Sequence, residues 1–127
     1  MRAYAVAFAL AVSLAGVNNL IAGVFENLGG GAVVALMGAE PEVIDDRYLL
    51  ASPVERLPFG VPQLLVHGAD DPIVPVTQSS GYAAKAKEAE EEATLVVVPG
   101  ADHFDVIDPA TEAWNEVITR ITPVLDG

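Results

Sequence analysis

The residues best suited to chemistry are an aspartate and a histidine, each placed just after an apolar run. The first run is Gln63 to Pro75, QLLVHGADDPIVP, where Leu64, Leu65 and Val66 lead into a tight turn carrying Asp70 and Asp71. The second is Thr94 to Phe104, TLVVVPGADHF, where Leu95 to Val98 lead into a loop carrying His103. Ligands and reacting groups of open α/β sheets gather at the carboxyl ends of parallel strands. A carboxylate loop and an imidazole loop at two such ends suggest an acid-base pair: Asp71, with Asp70 as the fallback, would orient His103. His67 stands within the strand end and reads as a hydrogen-bonded structural residue.

The elements that must hold these loops are short apolar strands bounded by Pro and Gly, alternating with helices, as in a parallel sheet covered on its faces. Ala3 to Ala15 is a nearly continuous run of Ala, Val, Leu and Phe that reads as a strand buried on both faces. Gly16 to Asn27 reads as a loop or short helix, and Gly29-Gly30-Gly31 as a turn feeding Ala32 to Met37. Ser52-Pro53 has the form of an N-cap followed by proline at the first helical position, in a helix ending before Pro58. Thr77 to Ala93 is rich in Ala, Lys and Glu and reads as a helix, with Ala83, Ala84 and Ala86 or Ala89 as a shallow inner face. Asp108 with Pro109 is expected to open the last helix, whose stripe of Trp114, Val117, Ile118, Ile121 and Leu125 should face the core. The expected architecture is a single α/β domain over residues 1–127: three αβα layers around a small, mostly parallel sheet of about three strands.

His67-Gly68-Ala69-Asp70-Asp71-Pro72-Ile73-Val74-Pro75 resembles the HGxxDxxVP motif of α/β-hydrolases of the prolyl-oligopeptidase, dienelactone-hydrolase and kynurenine-formamidase-like type. Gly100-Ala101-Asp102-His103-Phe104 is similar to the loop carrying the catalytic histidine of that family. The resemblance runs from about Val12 to Leu125, and the stretch VSLAGVNNL is similar to the one that follows the nucleophile helix. It implies a partial α/β-hydrolase fold, the C-terminal portion, with Asp71 as triad acid and His103 as general base and acid. The order Asp then His agrees with the Ser, Asp/Glu, His order of the fold. The strained G-x-S-x-G elbow does not occur around Ser13, Ser52, Ser79 or Ser80. The nucleophile is therefore expected from a preceding segment or another subunit, which makes the chain alone an inactive fragment. The implied function is serine hydrolysis of a small-molecule ester, amide or peptide. The alternative is a non-catalytic α/β module that packs against a partner. The sequence departs from the family at Asn19, where relatives commonly have Asp, and at Glu90, where a helix-stopping Gly is usual, so a frayed helix end is expected there.

Composition narrows the remaining classes. Hydrophobic residues make up 52% of 127, enough for a core and too many for a disordered tail. Six Lys and Arg against eighteen Asp and Glu give a net charge of -12, which argues against a nucleic-acid or anionic-membrane partner. The absence of cysteine removes disulfides, thiolate metal sites and Cys nucleophiles. The glycine run lacks the spacing of a dinucleotide or phosphate loop. Glu40, Glu42, Asp45 and Asp46 read as solvated surface, and His67, Asp70, Asp71 and His103 lack the spacing of a metal motif, so no cofactor and no metal are expected. Met1-Arg2 before an apolar run, with Ser13-Leu14-Ala15 ahead of Gly16, has the outline of a secretory signal. The competing reading, a core strand and a cytoplasmic protein, is preferred because the family match runs through that point. An apolar edge at Tyr4 to Ala15 would invite pairing with another chain, including a second copy.

Overall fold

Strands form where β-branched and leucine residues run between breakers. In the computed structural model, which describes residues 8–127, these are β1 (Ala11–Leu14), β2 (Gln63–Gly68) and β3 (Ala93–Val98). They form one parallel sheet in the order β1-β2-β3, with Ala11 opposite Gln63, Gln63 opposite Ala93 and Gly68 opposite Val98. The central β2 is buried along its whole length, as its unbroken apolar run requires. The expected strand from Ala3 to Ala15 is shorter than its hydrophobic run. Its first residues lie outside the described ones, and Ala11 and Val12 are exposed rather than buried on both faces, because among the described residues β1 pairs with β2 alone.

Alternate residues of β2 feed opposite faces of the sheet. Leu64 and Val66 pack with Val98, Ala113 and Val117 on the side of α5 (Glu112–Asp126). Leu65 packs with Tyr82 and Ala86 on the side of α4 (Thr77–Glu88). These are the three αβα layers. Between β1 and β2 lie α1 (Leu20–Phe25), α2 (Ala32–Met37) and α3 (Asp45–Ala51), which enclose a satellite core of Val33, Met37 and Tyr48. Pro53–Arg56 is a 3-10 turn with proline at its start, but Ser52 does not cap it. The buried Ser52 hydroxyl instead accepts from the Leu20 amide at 3.0 Å, joining this turn to α1.

Four helix details differ from expectation. The inner face of α4 is Gln78, Ser79, Tyr82 and Ala86: of the expected alanines Ala86 is buried but Ala84 is exposed, because Leu65 and the loop after β1 decide which side faces inward. The α5 helix starts at Glu112, with the Thr111 hydroxyl accepting from Trp114 N–H. Asp108 caps the preceding turn through the Ala110 amide at 3.0 Å. Only the Trp114, Val117 and Ile121 part of the stripe packs inward; Ile118 and Leu125 are exposed. The end of α4 does not fray. Glu90 takes φ +59°, its amide donates to Lys87 O at 3.1 Å and the Glu91 amide to Ala86 O at 2.8 Å, the bond pattern of a Schellman closure without its glycine. The Glu91 carboxylate then accepts from the Phe59 and Gly60 amides, at 2.5 and 3.0 Å.

Candidate active site

The parallel pairing of β2 and β3 brings the two loops side by side at the carboxyl end of the sheet. The Ala69 amide donates to Val98 O at 2.9 Å and the Asp70 amide to Ala101 O at 3.0 Å. Gly68 makes this approach possible: a Cβ there would sit 2.3 Å from Ala101 O and 2.7 Å from Asp102 O.

Asp71 sits in the turn that follows. Its Oδ1 accepts from the Ile73 and Val74 amides at 2.8 and 2.9 Å, and its Oδ2 accepts from His103 Nδ1 at 2.7 Å. The carboxylate is fully buried, whereas the His103 ring is one quarter exposed. Burial alone pushes this carboxyl up, but the amide bonds and the His103 imidazole outweigh it and hold the group below the ordinary aspartate value. The ionised carboxylate is therefore the resident form. Because Nδ1 is committed to Asp71, Nε2 is the His103 nitrogen left to exchange protons.

The histidine loop is held by its own acidic residues. Asp102 Oδ1 accepts from the Phe104 and Asp105 amides, and Asp105 Oδ2 accepts from the Asp102 amide at 2.9 Å. Thr111 Oγ1 ties the loop to α5 by donating to carbonyls of Asp105 and Asp108. The Phe104 ring lies edge-on to His103, with centroids 5.3 Å apart.

The structure thus brings Asp71 and His103 together and leaves the fallback Asp70 apart: it is exposed, and among the described residues its carboxylate bonds to neither histidine. His67 is fully buried, with Nδ1 2.7 Å from Ser79 Oγ and Nε2 2.8 Å from Val74 O, as a structural histidine should be. Its Nε2 also lies 3.3 Å from Asp71 Oδ2, a proximity that the strand pattern did not convey. The close packing at Gly68 was missed as well, although a glycine closing an apolar strand is the signal for it. Ser13, Ser52 and Ser79 are engaged elsewhere, with Asn18, Leu20 and His67, and among the described residues no serine bonds to His103. A cavity of about 800 Å³ between α1 and α4 is lined by Asn19, Phe25, Gln78 and Tyr82 and includes neither Asp71 nor His103. Gly31 and Val33 line a separate cavity of about 250 Å³. Among the described residues no group of three His, Asp or Glu side chains is placed to hold a metal, and no helix is long and apolar enough to cross a membrane.

Comparison with solved structures places the whole architecture. An acylaminoacyl peptidase in complex with Z-Gly-Gly-Phe-chloromethyl ketone superposes with a TM-score of 0.74 at 16% identity, over 94% of this chain and 20% of that one. A puromycin-hydrolyzing peptidase from Mycobacterium tuberculosis gives 0.65 at 24% identity, over 76% and 15%. A truncated carbohydrate esterase from gut microbiota gives 0.61 at 27% identity, over 71% and 32%. The chain therefore spans between about one seventh and one third of the length of these proteins. No curated protein sequence matches it. The sequence model of the prolyl oligopeptidase family matches residues 6–120, nearly the whole chain including both loops, and the protein belongs to that family of α/β-hydrolases.

Proposed function

We propose that this chain supplies the acid-base pair of a Ser-His-Asp site that hydrolyses carboxylic esters, amides or peptides. The 2.7 Å bond between His103 Nδ1 and Asp71 Oδ2 carries the reading. His103 Nε2 removes the proton of an incoming serine hydroxyl as that oxygen attacks the acyl carbon. Asp71 fixes the ring with its hydrogen on Nδ1 and stabilises the imidazolium. The same Nε2–H then protonates the departing alcohol or amine, and water repeats the cycle on the acyl-enzyme. The serine and the donors of an oxyanion hole come from outside the described residues, from another segment or subunit.

Turnover of a simple activated ester by the chain completed with a serine-bearing α/β-hydrolase segment or subunit, beside His103→Ala and Asp71→Asn and with fluorophosphonate labelling of serine read by mass spectrometry, tests this. Turnover and labelling are expected to fall together in both variants; turnover that survives both would refute the assignment. A second reading, a non-catalytic module that packs against a partner, is favoured by the lack of any serine bonded to His103 among the described residues. It predicts no labelling and identical background rates in all three proteins.

A further inference from the structure

We infer that His67 is a positioning residue for the proposed acid-base pair, locking the Asp71 turn from beneath through Val74 and Ser79. The inference rests on the reading of Asp71 and His103 given above and extends it to a buried side chain that touches neither substrate nor nucleophile.

Its geometry fixes its hydrogens. Val74 O can only accept, so His67 Nε2, 2.8 Å away, must carry a hydrogen. Nδ1, facing Ser79 Oγ at 2.7 Å, then accepts from the Ser79 hydroxyl in the neutral ring. Every polar atom of this fully buried imidazole is satisfied by one tautomer, and that tautomer turns its N–H toward the acid: Asp71 Oδ2 lies 3.3 Å from Nε2.

The consequence falls on Val74, which is held from both sides. Its amide donates to Asp71 Oδ1 at 2.9 Å while its carbonyl accepts from His67. A shift of this one peptide therefore disturbs the carboxylate that faces His103. Oδ1 is surrounded by two backbone amides, and Oδ2 by the His103 N–H and the neighbouring His67 N–H. With donors on both oxygens the carboxylate cannot rotate without losing one of them. Ser79, in the first turn of α4, anchors the other side of the ring, so His67 links β2, the Asp71 turn and α4 at one point.

The test is nitrogen-15 NMR of the intact 127-residue chain with His67→Gln and His67→Asn. A glutamine amide reaches the Nε2 position and can still donate to Val74 O; an asparagine amide reaches only the Nδ1 position. In the unsubstituted protein His67 is expected to be neutral with its hydrogen on Nε2, and this measurement stands even if a variant does not fold. The hydrogen-bonded Nδ1–H of His103 is expected to exchange with water at the original rate in the Gln variant. In the Asn variant it should exchange about tenfold faster, the loss expected for one hydrogen bond next to a charged group. A hydrogen on Nδ1 of His67, a doubly protonated His67, or an Asn variant with unchanged His103 exchange would overturn the inference. Asp71→Asn is the separate control: if it leaves the His103 Nδ1 resonance unmoved, the acid-base pair itself fails, whatever the state of His67.

Discussion

Replacing Gly68 with alanine tests how the two loops are held at bonding distance. The backbone at Gly68 is not left-handed, so a side chain meets no conformational penalty there; the obstacle is the histidine loop lying on it. The new Cβ would be 2.3 Å from Ala101 O, whereas ordinary contact begins at 3.4 Å, so the peptide 101–102 has to retreat by about 1 Å. Overpacking of this kind costs about 1–3 kcal/mol. The Asp70 to Ala101 bond of 3.0 Å and the His103 to Asp71 bond of 2.7 Å both cross the gap that widens. Lengthened by about 1 Å, each passes beyond hydrogen-bond range. Gly68→Ala should therefore lower the melting temperature by roughly 3–18 °C, at about 3–6 °C per kcal/mol for a chain of this size. It should also remove the His103 Nδ1–H resonance. The assay pairs a thermal melt followed by circular dichroism with proton NMR. A variant that melts within 1 °C of the original and keeps that resonance would refute the account of Gly68 as the spacer between the loops.

Two further predictions concern stability. The Asp71 carboxyl is held below its ordinary value in the folded chain, so its contribution is fully present above the unfolded value of about 3.9 and is lost as pH falls through the lower folded value. Urea midpoints between pH 5 and pH 2 should fall less steeply in Asp71→Asn than in the original; an equally steep fall would contradict the buried, ionised assignment. Glu90→Gly should raise stability by about 0.5–1 kcal/mol, because the φ of +59° at the α4 closure suits glycine and strains any other residue but Asn or Asp. A lower urea midpoint in this variant would show that Glu90 makes a contribution outweighing its backbone strain.

The sequence was most legible where structure is local. Leu64 to Val66, between Pro62 and Gly68, and Leu95 to Val98, ended by Pro99-Gly100, became neighbouring strands, and the motif HGADDPIVP carried Asp71 on the turn that closes the first of them. It was least legible where a distant element decides. An all-alanine inner face was expected for α4, yet Ala86 is joined there by Tyr82 rather than Ala84 because Leu65 waits across the sheet, and Gln78 is buried because its Oε1 accepts from the amides of Asn18 and Asn19 at 3.0 and 2.9 Å. Asp108-Pro109 looks like a helix start, but the Thr111 hydroxyl, tied to the carbonyls of Asp105 and Asp108, places the first turn later. The absence of Gly at the end of α4 suggested fraying, whereas Glu91 gains three partners by closing it, Ala86 O and the amides of Phe59 and Gly60.

What no single motif contains is the meeting of Asp71 with His103, because that depends on register. Gly68 pairs with Val98, so the two strands end level, and the carboxylate lies three residues past one end and the imidazole five past the other. A slip of one residue between β2 and β3 would displace the ends by about 3.3 Å, more than the whole length of the bond. It would also turn one strand's side chains over. Leu65 would leave Tyr82 and Ala86, while Leu64 and Val66 would leave Val117 and Ala113. The alternation that sorts β2 between α4 and α5 therefore fixes the distance between Asp71 and His103 as well. The apolar core of this small sheet is in that sense part of the site, and substitutions that loosen register at Leu64, Leu65 or Val66 should separate Asp71 from His103 without touching either.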